Sequence, residues 1–545
     1  MIKRVVIILF GFAALSAGVG LSPVAAEAEE GAPEALLGEA YASGEPASPD
    51  FSAILALHRP AAEKGSAFAQ FCLGHLYSLG IGVPEDSVEA FKWFRLAAEQ
   101  GFAEAQLALG AAYYVGEGTE QNYSEAVKWH ILAADQGNVK ASNMLGYMHY
   151  FGEGVEPDVF EAVRRFRLPA EHGDSAARFF LGQAHFTGLG AEQDYAEALR
   201  WFLLAAERGD FDAQLQLGKM YYFGQGTEQN YPEALKWLLL AAERGVAEAQ
   251  KMLGNMYQIG EGVVRNEAES LKWTHMAASQ GDAEAQHNLG LALMSHLPQD
   301  RGQALDWLRR AAYQGHADAQ ATLGDFLSVG PAGRRSYAEA FKWYSLAAEQ
   351  GRPSAQRSLA AMYRNGKGVV RDFAEAARWN RLAAEQGDVY SQVELGKAYS
   401  AGIGVERDYA EAIKWFELAA EQGSSAAQLA LGRMSAEGKG KVRDFSEAAK
   451  WYRLAAAQSE PDAQFELAEA YAKGLGVERN EAEAFKWYRE AGARWNVMAE
   501  FKVCQMLHEG EGVEQDDAEA GKWCGYAVKN ALSYLLDLPR HVIYR

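Results

Sequence analysis

Residues 103–137 read AEAQLALGAAYYVGEGTEQNYSEAVKWHILAADQG, and this stretch decides the fold. Ala105, Leu109 and Ala112 fall at helical spacing, which predicts an amphipathic helix ending before Gly116-Glu117-Gly118. The glycines supply the positive backbone angles of a tight turn. A second helix follows, with Trp129 on its apolar stripe and Gly137 marking its end. In sister stretches the start of that second helix resembles a capping box, pairing Asp194 with Glu197, Asp372 with Glu375, Asp408 with Glu411 and Asp444 with Glu447.

The pattern returns along the whole chain. The glycine of Q-x-x-L-G-x-x-Y has counterparts at Gly38, Gly74, Gly110, Gly146, Gly182, Gly218, Gly254, Gly290, Gly324, Ala360, Gly396, Gly432, Ala468 and Cys504, which makes fourteen units. Every step is 36 residues except the 34 from Gly290 to Gly324, where residues 294–300 replace the usual Gly-x-Gly loop. The tryptophan place is filled by Trp in every unit but two, which carry Leu57 and Arg165. Small residues let the two helices of a unit approach closely, while Trp and Leu fill the space between neighbouring hairpins. One hairpin cannot bury such a stripe alone, so the units must stack.

The expected fold is all-α: an α/α superhelical solenoid of about fourteen helix-turn-helix repeats with a 36-residue period. Residues 27–293 form its N-terminal half, up to the first helix of the eighth unit, and residues 294–530 form its C-terminal half. Residues 531–545, beginning Ala531-Leu532-Ser533-Tyr534, match no unit and are expected to cap the end or trail from it. The segments L-G-x-x-Y-x-x-G-x-G-V-x-x-D-Y-x-E-A-x-K-W and L-A-A-E-Q-G resemble the Sel-one-like repeat (SLR) family, relatives of tetratricopeptide repeats, over about residues 31–530. That resemblance implies an interaction scaffold without naming its partner.

Composition narrows the partners. Lys3 and Arg4, the apolar run from Val5 to Leu21 and the small residues Val24-Ala25-Ala26 read as a signal peptide over residues 1–26, with an uncleaved anchor as the alternative. Together with the repeat family, the signal places the protein in the bacterial periplasm. Removing Lys3 and Arg4 takes the formal net charge of −21 to −23, since the segment holds no Asp or Glu. Such a charge repels phosphate backbones and anionic lipid, so no nucleic-acid partner is expected. No later stretch reaches the roughly 18 uncharged apolar residues of a membrane span, so no stable span is expected in the mature chain.

Chemistry-bearing patterns are scarce. The sequence contains no Ser-x-x-Lys, Gly-x-Ser-x-Gly or His-Glu-x-x-His, and its glycine-rich stretch 432–440 lacks a following Lys-Ser/Thr. His149 and His185 stand where other units have Tyr, and His172 replaces a Gln near a loop, so no metal or cofactor is expected. Cys504 and Cys524 lie on the two helices of the last hairpin, where either a disulfide or two separate thiols would fit. The family resemblance also links some disulfide-rich relatives with penicillin binding or lactam hydrolysis, for which this chain offers no residues.

The tetratricopeptide likeness implies that the first helix of each unit lines a concave groove. In units three to six the groove positions hold Leu107, Ala111, Tyr114; Asn143, Tyr147, Tyr150; Phe179, Gln183, Phe186; and Leu215, Lys219, Tyr222. These aromatics suit an extended peptide, a helix or a stacked sugar, unless they stack on one another as core. From unit seven onward the same positions turn polar, with Lys251, Arg357, Lys397 and Arg433 among them. The expected function is therefore a non-catalytic exported adaptor for a protein or peptide, serving a membrane sensor or envelope machine, with cell-wall glycan as the alternative ligand.

Overall fold

The computed structural model describes residues 51–296, 301–329 and 336–536. Twenty-seven helices follow one another in these residues, with no strand among them. The expected signal peptide, the first helix of the opening unit around Gly38 and residues 537–545 lie outside the described residues. The second helix of that opening unit is α1 (Phe51–Glu63). From α2 (Ala67–Leu79) to α27 (Asp517–Leu536), even-numbered helices open each hairpin and odd-numbered helices close it.

Local chemistry sets the ends of these helices. In the hairpin of α10 (Phe211–Phe223) and α11 (Tyr231–Glu243), Asp210 caps the first helix by accepting from the Ala213 N–H at 2.8 Å. Gly224 ends that helix in the left-handed region at φ 70° and donates to the Met220 carbonyl. Asn230 then caps α11 by accepting from the Glu233 N–H at 3.1 Å. The second loop glycine has a different task. A Cβ on Gly226 would lie 2.4 Å from the Tyr195 carbonyl oxygen in the preceding hairpin, so this glycine lets the loop close onto its neighbour.

The two helices of a hairpin meet at the repeat glycine. A Cβ on Gly218 would come within 2.6 Å of Leu238, and one on Gly182 within 2.7 Å of Phe202. Phe166 covers Gly146 and Phe416 covers Gly396 in the same way. The side chain on the glycine is the residue after the repeat tryptophan; the tryptophan itself reaches the preceding hairpin, as Trp237 does among Ala198, Phe202 and Ala205. Buried glutamines then join successive hairpins. Gln106 donates to the Ala98 carbonyl at 3.2 Å and accepts from Gln136 at 2.7 Å, and Gln392 repeats the pattern with Ala384 and Gln422. Each such bond contributes about 1 kcal/mol, and leaving a buried partner unmade costs more. In the fifth unit Arg178 takes the glutamine's place and reaches the carbonyls of Ala170 and Leu204.

At the last hairpin cysteines occupy the meeting point. Cys504 stands at the glycine place and Cys524 at the covering place, with their Cα atoms 5.3 Å apart and their sulfurs bonded. The closing helix α27 continues through Leu536, so residues 531–536 extend the final hairpin. The described residues divide into two compact units, an N-terminal one through Ala277 and a C-terminal one from Ala278.

One covering position is a histidine. His130 is completely buried on Gly110, and neither ring nitrogen finds a hydrogen-bond partner. Burial pushes its pKa down to about 4. Below about pH 6.5 an unfolded His130 takes up a proton that the folded ring refuses until about pH 4, so stability falls as pH drops through that window. The expected loss is as much as about 3 kcal/mol by pH 4, and His130→Phe should flatten the pH dependence of the unfolding midpoint. The glycine contact is tested by contrast. Gly182→Ala should cost about 1–3 kcal/mol in urea unfolding. Gly521→Ala, which meets nothing within 4 Å in mid-helix, should stabilise by about 0.5–1 kcal/mol.

Candidate interaction surface

The ten groove positions expected to contact a partner, the twelve above without Ala111 and Leu215, lie in the N-terminal unit, on the opening helices α4 (Ala103–Val115), α6 (Val139–Phe151), α8 (Ser175–Thr187) and α10. Most of them engage a neighbouring hairpin. Tyr114 donates its hydroxyl to Glu153 at 2.5 Å and packs edge-on against Tyr123, and both burial and that carboxylate raise its pKa. Tyr222 makes the corresponding bond to Glu261 and packs on Tyr231. Buried Asn143 donates to Asp174 at 3.1 Å, and Lys219 pairs with Glu248 at 2.5 Å.

The remaining members pack mainly against other rings. Tyr147 meets Phe166 and Phe180 edge-on, and burial pushes its pKa up to about 12. Phe179 rests on Phe202, and Phe186 on Tyr195 and Phe202. Gln183 is half-buried, and its side-chain oxygen finds no partner. Among these aromatics only Tyr150, 39% exposed beside Phe151 and Phe180, counts as exposed. Leu107 and Tyr114 instead line a cleft of about 180 Å³ between α2 and α4, with Phe71, His75, Phe94 and Val115. His75 packs against Phe71 and Phe94, and burial lowers its pKa to about 4, so the cleft carries no cationic imidazole at neutral pH.

The more exposed apolar positions lie one residue further along each opening helix. Leu79, Phe151, Phe223 and Ile259 are 42%, 61%, 61% and 65% exposed at the fifth residue after the repeat glycine. Val115 holds that place in α4 and lines the cleft, as does Leu79. In α8 the place falls to Thr187, and exposed Leu189 follows two residues later. Equivalent places in the C-terminal unit carry Val329, Asn365, Ala401, Glu437, Lys473 and Glu509. The repeat therefore folds with charged residues there, and the apolar row of the N-terminal unit is not a demand of the fold. A signal for it was available in the sequence, because five residues from glycine is 500° of helix rotation and only about 40° from the groove position one residue after glycine.

No helix among the described residues is long and apolar enough to cross a membrane, and no cluster of three or more His, Cys, Asp or Glu among them suits a metal ion.

The Sel1 repeat model matches thirteen consecutive stretches, from residues 67–102 to 497–530. Among solved structures, the chain is similar to a protective antigen of uropathogenic Escherichia coli that displays an SLR fold. Identity is 32%, over 87% of this chain and 93% of that one, with a TM-score of 0.59. It is also similar to a Sel1 repeat protein from Oxalobacter formigenes, at 32% identity over 63% of this chain and 90% of that one, with a TM-score of 0.33. No curated protein matches the chain.

Proposed function

Since the chain belongs to the Sel1 repeat family, whose members are typically non-catalytic protein-interaction scaffolds, we propose that it is an exported adaptor whose N-terminal unit grips a segment of a partner protein. The apolar row is the observation that carries this reading. Leu79, Phe151, Phe223 and Ile259 expose large side chains at places where the same repeat elsewhere accepts Glu or Lys. An apolar side chain left in water forgoes roughly 1.5–3 kcal/mol of burial, which a docked segment restores. The cleft reached by Leu79 and Val115 adds a recess for one anchoring side chain.

Export to the bacterial periplasm rests on the basic start, apolar run and small-residue site within residues 1–26. A membrane sensor or envelope machine remains the partner class proposed for that compartment. Sugar binding and lactam hydrolysis have no observation in their favour.

The test is capture from envelope extract by the mature protein, run beside a variant carrying Leu79→Ser, Phe151→Ser, Phe223→Ser and Ile259→Ser. The variant should keep its helicity and its unfolding midpoint, because all four side chains are exposed in the free protein. It should bind the captured protein at least about a hundredfold more weakly. Equal capture by the folded variant would remove the row from the binding surface. N-terminal sequencing of the periplasmic form should begin near Glu27, and a start at Met1 would contradict export by cleavage.

A further inference from the structure

As far as unit six the loops that carry the apolar row carry charge of one sign, whereas the loop after Ile259 in unit seven holds Arg265. From unit two to unit six, residues 79–86, 115–122, 151–158, 187–194 and 223–230 contain no Lys or Arg. Four of these loops present an exposed glutamate at the tenth residue after the repeat glycine: Glu120, Glu156, Glu192 and Glu228. None of the four enters an ion pair among the described residues. In the C-terminal unit the equivalent loops hold Lys367, Arg371, Arg407, Lys439, Lys441, Arg443 and Arg479.

We propose, resting on the adaptor reading above, that the segment docked along the N-terminal unit is an extended cationic one, with Lys or Arg alternating with large apolar side chains. The apolar residue and the glutamate lie five residues apart in units three, four and six, as Val115 and Glu120, Phe151 and Glu156, and Phe223 and Glu228, while unit five sets Leu189 three residues before Glu192. Neighbouring helices pack about 10 Å apart, so loops three to six span roughly 30 Å, or about nine residues of extended chain. A second copy of this protein is a weaker occupant, because several of its basic loops are already neutralised. Lys439 pairs with Glu437, Lys441 with Glu447 and Arg479 with Glu481, each within the C-terminal unit. The free carboxylates of the N-terminal unit have no such internal partner, and their charge repels anionic lipid.

The experiment uses the full mature chain and two fluorescent synthetic peptides, one alternating Leu with Lys and one alternating Leu with Gln. Fluorescence anisotropy should show the Lys peptide binding at least about tenfold more tightly. That advantage should vanish as ionic strength rises from 0.1 to 1 M, where the screening length shrinks from about 10 to about 3 Å. Replacing Glu120, Glu156, Glu192 and Glu228 together by Gln should bring the Lys peptide to the affinity of the Gln peptide and leave the Gln peptide unchanged. Equal, salt-insensitive binding of both peptides, lost with the four serine substitutions of the row, would overturn the charge inference and leave the adaptor surface standing. Binding of neither peptide, or binding that survives the serine substitutions, would overturn both. A self-associated species in sedimentation whose formation excludes the Lys peptide would assign the surface to a second copy and overturn the proposal.

Discussion

A glycine in the opening helix of each regular hairpin lies so close to a side chain of the closing helix that a Cβ would come within 2.4–2.7 Å of it. This contact draws the helices together, and other features of the repeat follow from it. The crossing point sets which residue of the closing helix is buried, and that leaves the tryptophan one residue earlier to reach the preceding hairpin. Glutamines can then bridge three successive helices, because the hairpins stack at one spacing. Where Ala360 replaces the glycine, the covering residue shrinks to Asn380; at the last hairpin the same two places are joined covalently as Cys504 and Cys524. A terminal hairpin has a neighbour on one side only, and a disulfide there lowers the entropy of its unfolded state.

Turns, helix ends and the repeat register were legible in the sequence because each depends on a residue's own backbone: Gly224 for a left-handed angle, Asp194 for an orphan N–H. The partner of each glycine was less accessible, since it depends on how two helices rotate against each other. The chain nonetheless contained the key. Nine of the glycines face the residue twenty positions later, and Cys524 lies twenty positions after Cys504, so the register alone would have chosen the disulfide over two separate thiols. His130 could have been found the same way, as a histidine twenty positions after a repeat glycine, where most units carry Phe, Leu, Tyr or Thr.

The candidate surface shows where periodicity alone falls short. Tyr114 and Tyr222 lie on the helical face that the groove argument selects, yet each spends its hydroxyl on a glutamate of the next hairpin. Rotation by one residue, 100° of helix, separates a side chain that binds its neighbour from one that meets solvent. Phe223 beside Tyr222 shows both outcomes at adjacent positions. Comparison between the two compact units distinguishes fold from function at those positions. A place that tolerates Glu437 and Lys473 in one unit has no structural need of Phe151 and Phe223 in the other.

The central claim is that this exposed apolar row receives a partner, and site-specific photo-cross-linking in cells tests it most directly. A photoreactive phenylalanine analogue is placed at Phe151 or Phe223, and separately at Glu437 or Lys473, the matching places of the C-terminal unit. The account predicts one discrete cross-linked protein from the two N-terminal positions and none from the two C-terminal ones. Cross-links of equal yield from all four, or from the C-terminal pair alone, would contradict it.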